Sequence, residues 1–361
     1  MKKYFIIALV FISSCQKKIT DQIKTIDAKG EILFTSQRFP NNSDWQIILM
    51  NADGTNQRPV SGKAVDCSPP IVSNNKRKVA FTTYENSYRN LYVIDIDGQN
   101  LKLLDKARQT CSNPVWSPDD SKITYVRNDI GAAGSFDIYT INIDGTNRIQ
   151  LTTQNDNYSP QYLPDNSAII YTSLNGTISG VYKMHTDGTN KQLLSPPGKT
   201  FSVSSVSPDG KMIAINSQDW NGTQIFVMKP DGSGLKQLTF TIEKNYFDTG
   251  FPRGGNCNPV WSPNSTRLVY ESYENTTPDI FIINSNGSGN KRLTDNPLRD
   301  EGPCWTNDGS YIIYSAGKIW YAGGSPTYGG STICIMTPDG QLKTAVTDNK
   351  ISDVYPNFIS K

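Results

Sequence analysis

Residues able to do covalent chemistry are scarce in this 361-residue chain. His185 is its only histidine, and no Gly-x-Ser-x-Gly occurs. A histidine-rich metal site is therefore excluded, and a Ser-His-Asp hydrolase has no visible nucleophile or base. Beyond Cys15 there are five cysteines, Cys67, Cys111, Cys257, Cys304 and Cys334. No Cys-x-x-Cys is among them and none lies near the histidine, so neither a metal nor any other cofactor is expected. An odd number leaves at least one thiol unpaired within the chain. What remains is recognition chemistry. Two long glycine-rich insertions, 241–256 and 316–331, carry Tyr246, Phe247, Phe251, Arg253, Trp320, Tyr321 and Tyr328. Aromatics and arginine on such segments suit a binding surface. A second polar set, Asn157, Asn256, Asp300 and Asp353, recurs at one repeat position described below.

The N-terminus suggests a compartment. Lys2 and Lys3 precede an apolar stretch from Tyr4 to Ile12, which is too short to span a bilayer as a helix. Ile12-Ser13-Ser14-Cys15 follows, and it resembles the bacterial lipoprotein box. That resemblance implies a signal peptide over 1–14, lipidation at Cys15 and a tether over 15–29. The chain is then extracytoplasmic and touches the membrane only through its N-terminal lipid. Gln16, Lys17 and Lys18 carry no acidic retention signal, which favours the outer membrane in a Gram-negative host and leaves periplasmic or surface exposure open. Removing Lys2 and Lys3 from 35 basic residues leaves 33 against 33 acidic ones. A neutral chain gives no electrostatic reason to bind nucleic acid.

The elements that must position these residues form a repeat. Turn pairs recur at Asp53-Gly54, Asp97-Gly98, Asp144-Gly145, Asp187-Gly188, Asp231-Gly232, Asn286-Gly287 and Asp339-Gly340, spaced 43 to 55 residues apart. Such pairs adopt positive φ cheaply and close two-residue hairpins. Although Asp95-Ile96-Asp97-Gly98 faintly suggests a calcium loop, the later glutamate is missing and a hairpin turn is expected. A second signal runs Asn113-Pro114-Val115-Trp116-Ser117-Pro118 and Asn258-Pro259-Val260-Trp261-Ser262-Pro263, with degenerate copies at Ser68, Ser159, Val203 and Gly302. An apolar strand follows each. The unit is four short strands, A to D, with Pro-x-Trp-Ser-Pro in A and the Asp-Gly turn after C. A repeat of this length and composition is a propeller blade, whose sheet faces are buried only by stacking. The tryptophans then belong between blades. The first strand, Glu31 to Thr35, is of type B, while the last, Val354 to Phe358, is of type A. Together they complete one blade. The expected fold is thus all-β, a seven-bladed β-propeller of four-stranded antiparallel blades over 30–361, closed by the C-terminal strand joining the first blade.

These motifs resemble the TolB-like propeller repeat found in lipoproteins and in peptidase propeller domains. The resemblance spans nearly the whole chain after Cys15. TolB itself has an extra α/β domain and six blades, so its own role is not carried over. Pectin-fragment lyases of this propeller class use clustered metal-binding histidines, which are missing here. The resemblance implies a non-enzymatic protein-binding or scaffolding lipoprotein of the cell envelope, a monomer with an envelope protein as partner. The alternatives are glycan binding, with Trp320, Tyr321 and Tyr246 as stacking platforms, and a lyase or hydrolase using carboxylates at the channel mouth.

Aligning the repeats places Cys67, Cys111, Asn157, Phe201, Asn256, Asp300 and Asp353 three residues before the strand A proline, near the rim of the central channel. Cys67 and Cys111 then occupy one slot in neighbouring blades, where a disulfide needs Cα atoms within about 7 Å. His185 shares a strand-end slot with Asn51, Asp95, Asn142, Lys229 and Asn284, so a solvated position is expected. In propellers D–A and B–C connections share one face, which puts both long insertions on the same side.

Overall fold

A computed structural model of the chain describes residues 26–360, apart from 38–44, 65, 86, 107–109, 129–134, 155, 220–221, 241–254, 275–276, 323–324 and 349–351. For 218–219, 318–322 and 325–329 it describes the backbone alone. All regular structure among these residues is β-strand. The strands make seven four-stranded antiparallel units, two of them joined into one sheet by a single parallel pairing of Arg89 with Thr110. In the first unit the C-terminal strand Asp353–Ile359 pairs with Glu31–Ser36, so the chain's last strand closes its first blade.

Alternation within each strand builds the ring. Ala80, Leu91 and Val93 face the third blade, packing with Trp116, Ile123 and Tyr125. Their neighbours Val79, Phe81 and Ile94 face the first, packing with Leu33, Ile47 and Leu49. Successive residues in a strand point to opposite faces, and here both faces are buried. Among the described residues seven such apolar clusters occur, one for each blade–blade interface, including that of Ile313 and Ile335 with Phe34 and Met50 between the last blade and the first.

The recurrent tryptophans stitch these interfaces. Trp116 Nε1 donates to the Ile71 carbonyl of the preceding blade at 2.9 Å. Trp261 does the same to Ser205 at 3.3 Å, and Trp305 to Val260 at 3.2 Å. Each indole buries its rings and still satisfies its N–H, as a buried tryptophan requires. The Asp-Gly turns are explained equally locally. Asp144 Oδ1 accepts from both the backbone N–H and the hydroxyl of Thr146. Gly54, at φ 85°, comes so near the Val346 carbonyl of the preceding blade that a Cβ there would lie 2.1 Å from the oxygen. The turn signal therefore also marks close docking of one blade under another.

Candidate functional site

Strand A of each blade packs against strand A of the next, and among the described residues its pairing with strand B is interrupted by a register shift in six of the seven blades. A register shift interrupts its pairing with strand B at Ser112/Val115, Tyr158/Gln161, Cys257/Val260 and Glu301/Cys304. At each kink the residue before proline has positive φ: Asn113 (48°), Ser159 (51°), Asn258 (52°) and Gly302 (60°). Tyr355 takes the same conformation at 54° in the closing strand and is half-exposed. Glycine and, next to it, asparagine adopt this region most readily, so Asn113 and Asn258 suit their positions and the strained backbone is that of Ser159 and Tyr355. A bulge re-aims side chains, and here it turns them inward. Asn113, Ser159 and Asn258 line a central cavity of about 760 Å³, together with Ser112, Gln161, Ser202 and Arg89.

Behind the wall lies a buried carboxylate. Glu271 Oε1 accepts the Gly302 backbone N–H at 2.9 Å, and Oε2 accepts Asn258 Nδ2 at 3.1 Å. Burial, then repulsion from Glu301, pushes its pKa up to about 7. Glu301 itself pairs with Arg299 and accepts from the Tyr273 hydroxyl at 3.4 Å. Cys257 Sγ sits 3.9 Å from Glu271 Oε2. Burial and that carboxylate raise the thiol's pKa well above its ordinary value. Cys257 is thus held as an inert thiol.

The polar set expected at the channel rim is instead buried. Asn157 is 2% exposed, and Asn256, Asp300 and Asp353 are 0% exposed; none lines the cavity. Each begins strand A beneath the preceding blade or the closing hairpin. Asn157 Nδ2 donates to Asp137 Oδ1 at 3.3 Å and Asn256 Nδ2 to Gln224 Oε1 at 3.2 Å, in both cases a strand C residue of the blade before. Asp300 accepts from Asn296 at 2.9 Å, and Asp353 accepts the Ser36 hydroxyl at 2.6 Å. Burial, then nearby Asp279, pushes the Asp300 pKa to about 7. The slot is a polar joint between strands, and the expectation of a place at the channel rim is corrected on that ground. Phe201, in the same slot, is buried in an apolar cluster.

Cys67 and Cys111 lie in the apolar clusters of two different interfaces, with no disulfide between them. His185 is exposed and contacts Thr189 and Asn190 of its own turn. Among the described residues no group of three or more His, Cys, Asp or Glu is disposed to hold a metal ion.

The B–C and D–A connections do meet on one face: Thr223, at the start of a strand C, bridges Gly255 at a D–A junction. The insertion read as a loop at 316–331 is largely strand. Ile312–Ala322 and Ser325–Met336 form a hairpin of 11- and 12-residue strands, pairing Trp320 with Thr327 and Ile319 with Tyr328. Tyr321 pairs with Pro326. Tyr246, Phe247, Phe251, Arg253 and Cys15 lie outside the described residues. On the same face stand residues not singled out from the sequence. Tyr84 (48% exposed) and Tyr88 (37%) flank one B–C turn, Ile178 (46%) lies on another, and Phe240 (72%) follows a strand D. Arg89 pairs across the hairpin with Tyr84, its guanidinium 6.0 Å from the ring centre. That hairpin is short, so insertion length gave no cue to it.

A family model described as the TolB beta propeller domain matches residues 17–247. Several solved structures share the fold. TolB from Acinetobacter baumannii aligns over 88% of this chain and 79% of its own, at 17% identity and a TM-score of 0.55. The β-propeller domain of the trilobed protease from Pyrococcus furiosus, described as having an open velcro topology, aligns over 89% and 96% at 12% identity, with a TM-score of 0.62. A puromycin-hydrolyzing peptidase from Mycobacterium tuberculosis aligns over 89% of this chain and 52% of its own, at 12% identity and a TM-score of 0.67. At these identities the likeness is one of fold, and it embraces enzymes as well as TolB. The match to the family model covers well over half of the sequence, and the chain belongs to the TolB beta propeller domain family.

Proposed function

We propose that this chain is a non-enzymatic, protein-binding lipoprotein of the bacterial cell envelope, anchored through Cys15 and engaging an envelope protein through its B–C/D–A face. The observation that carries this reading is the lengthened hairpin Ile312–Met336 on a face that also exposes Tyr84, Tyr88, Ile178 and Phe240. Exposed aromatics at element tips on a rigid scaffold suit protein recognition, and Tyr and Trp dominate interface energetics. The carboxylates Asp300 and Asp353, once candidates for lyase or hydrolase chemistry, are buried and hydrogen-bonded. Their burial supports a non-catalytic role.

Pull-down from envelope extracts with the full lipidated chain tests the reading. Trp320→Ala, Phe247→Ala and a Tyr84→Ala/Tyr88→Ala pair should each weaken capture of the partner, by about 2 kcal/mol for a central anchor, with little change in melting temperature. Trp116→Ala should show the reverse, losing about 3–5 kcal/mol of stability by emptying a blade interface. Undiminished capture by all three face variants would overturn the proposal.

A further inference from the structure

The chain enters the ring at one face. Glu31 opens a strand of type B, and a strand B begins at the A–B turn end of its blade. Whatever precedes Glu31 therefore leaves on the face of the A–B and C–D turns. Residues 26–30 are fixed there. Ile26 and Ala28 pack against the apolar cluster between the seventh and first blades. Asp27 donates its backbone N–H to the Tyr311 hydroxyl at 3.3 Å, just after the A–B turn of the seventh blade. The Gly30 carbonyl accepts the Ala52 N–H at 3.0 Å, at the C–D turn of the first. A Cβ on Gly30 would lie 2.3 Å from the Phe358 ring and 2.7 Å from the Ile359 carbonyl, so the backbone is seated against the closing strand.

Ten residues lie between Cys15 and Ile26. Fully extended, that span reaches at most about 40 Å. Strands of this length make a ring roughly 20 Å high. To set the opposite face on a bilayer, the span would use half its reach in climbing the ring. It would also put the exposed Tyr84, Tyr88 and Phe240 against lipid, away from any water-borne partner.

The turn face suits headgroups. Asp144 and Asp339 accept from turn hydroxyls and backbone N–H groups, which hold both carboxyls below the usual range and keep them ionised. Beside each stands an ammonium group: Lys102 Nζ donates to the Asp144 carbonyl at 2.7 Å, and Lys291 Nζ to that of Asp339 at 2.6 Å. Fixed charges of both signs match zwitterionic headgroups, on which such a surface rests without inserting.

We infer that the face of the A–B and C–D turns is the membrane-facing surface of the anchored chain, and that the B–C/D–A face is held outward toward a partner arriving from the aqueous side. This rests on the proposed lipidation of Cys15, because the lipid supplies the fixed point from which the orientation follows.

Energy transfer to a headgroup-attached rhodamine tests it, with the full lipidated chain in phosphatidylcholine vesicles. A donor fluorophore is coupled at one position at a time through Gln57→azidophenylalanine or Gln341→azidophenylalanine on the turn face, Tyr88→azidophenylalanine on the opposite face, or Ile149→azidophenylalanine on the outer edge of the third blade. All four are exposed positions, and melting that matches the parent verifies folding. Transfer at 57 and 341 should exceed that at 88 at least about threefold, because roughly 20 Å of ring separates the two sets. Position 149 should fall between them. A vesicle-bound chain in which 88 or 149 transfers as well as 57 and 341 would overturn the orientation and leave the anchor standing. A parent chain that does not bind the vesicles would refute the anchor, and this inference with it.

Discussion

Glu271 of the sixth blade accepts the backbone N–H of Gly302 in the seventh at 2.9 Å, so one carboxylate joins two neighbouring strand A kinks. Its other oxygen holds Asn258, a residue of the cavity wall. Burial raises the Glu271 pKa from its ordinary 4.5 to about 7. Between those values the folded chain keeps a proton that the unfolded chain has released. Stability therefore falls as pH rises from about 4.5 to 7 and is level with respect to this group above that range. Asp300, raised from 3.8 to about 7, adds to the same slope. We expect Glu271→Gln to flatten part of the dependence and to stabilise the chain at pH 8 by on the order of 2 kcal/mol. Adding Asp300→Asn should flatten it further. Denaturant unfolding at pH 5 and pH 8 measures both effects, and equal slopes in parent and variants would refute the assignment.

Ring closure rests on the last strand. Asp353–Ile359 pairs with Glu31–Ser36, and Phe358 packs between the seventh and first blades. Deleting 352–361 exposes the edge of Glu31–Ser36 and uncovers Ile32 and Phe34. A large drop in melting temperature with aggregation is expected by scanning calorimetry and light scattering. A truncated chain that melts with the parent would show that the ring holds without its closing strand.

Two glycines in similar left-handed turns should respond differently to alanine. Gly54 (φ 85°) faces the Val346 carbonyl, 2.1 Å from where a Cβ would stand, whereas Gly176 (φ 66°) has nothing within 4 Å. Gly176→Ala should cost about 1 kcal/mol, the price of a left-handed non-glycine residue. Gly54→Ala should cost roughly 2–4 kcal/mol, because the first and seventh blades must also separate. Similar losses at both sites, measured by chemical denaturation, would mean that the docking of turn against blade is loose.

Lipid anchoring is tested at Cys15. Cys15→Ala should move the chain from the membrane to the soluble fraction or arrest its processing at the signal peptide. Membrane fractionation that matches the parent would remove the lipoprotein element of the proposed function.

Sequence alone determined whatever depends on local pattern. Asp-Gly pairs specify hairpins because few residues tolerate positive φ. Pro-x-Trp-Ser-Pro announced strand A, and the indoles of Trp116, Trp261 and Trp305 lie between blades as that reading required. The type-B first strand and type-A last strand implied closure, and Glu31–Ser36 does pair with Asp353–Ile359. Depth was another matter. Asn157, Asn256, Asp300 and Asp353 share one slot that alignment located along the chain, yet their burial comes from the strands packed over that slot, which no local pattern records. Arg89 carried no signal at all, since a short hairpin looks alike whether it borders a cavity or solvent. Only assembly of the ring brings Arg89 to one cavity with Asn113, Gln161 and Ser202, because residues on different blades become neighbours through packing between sheets and not through spacing within them.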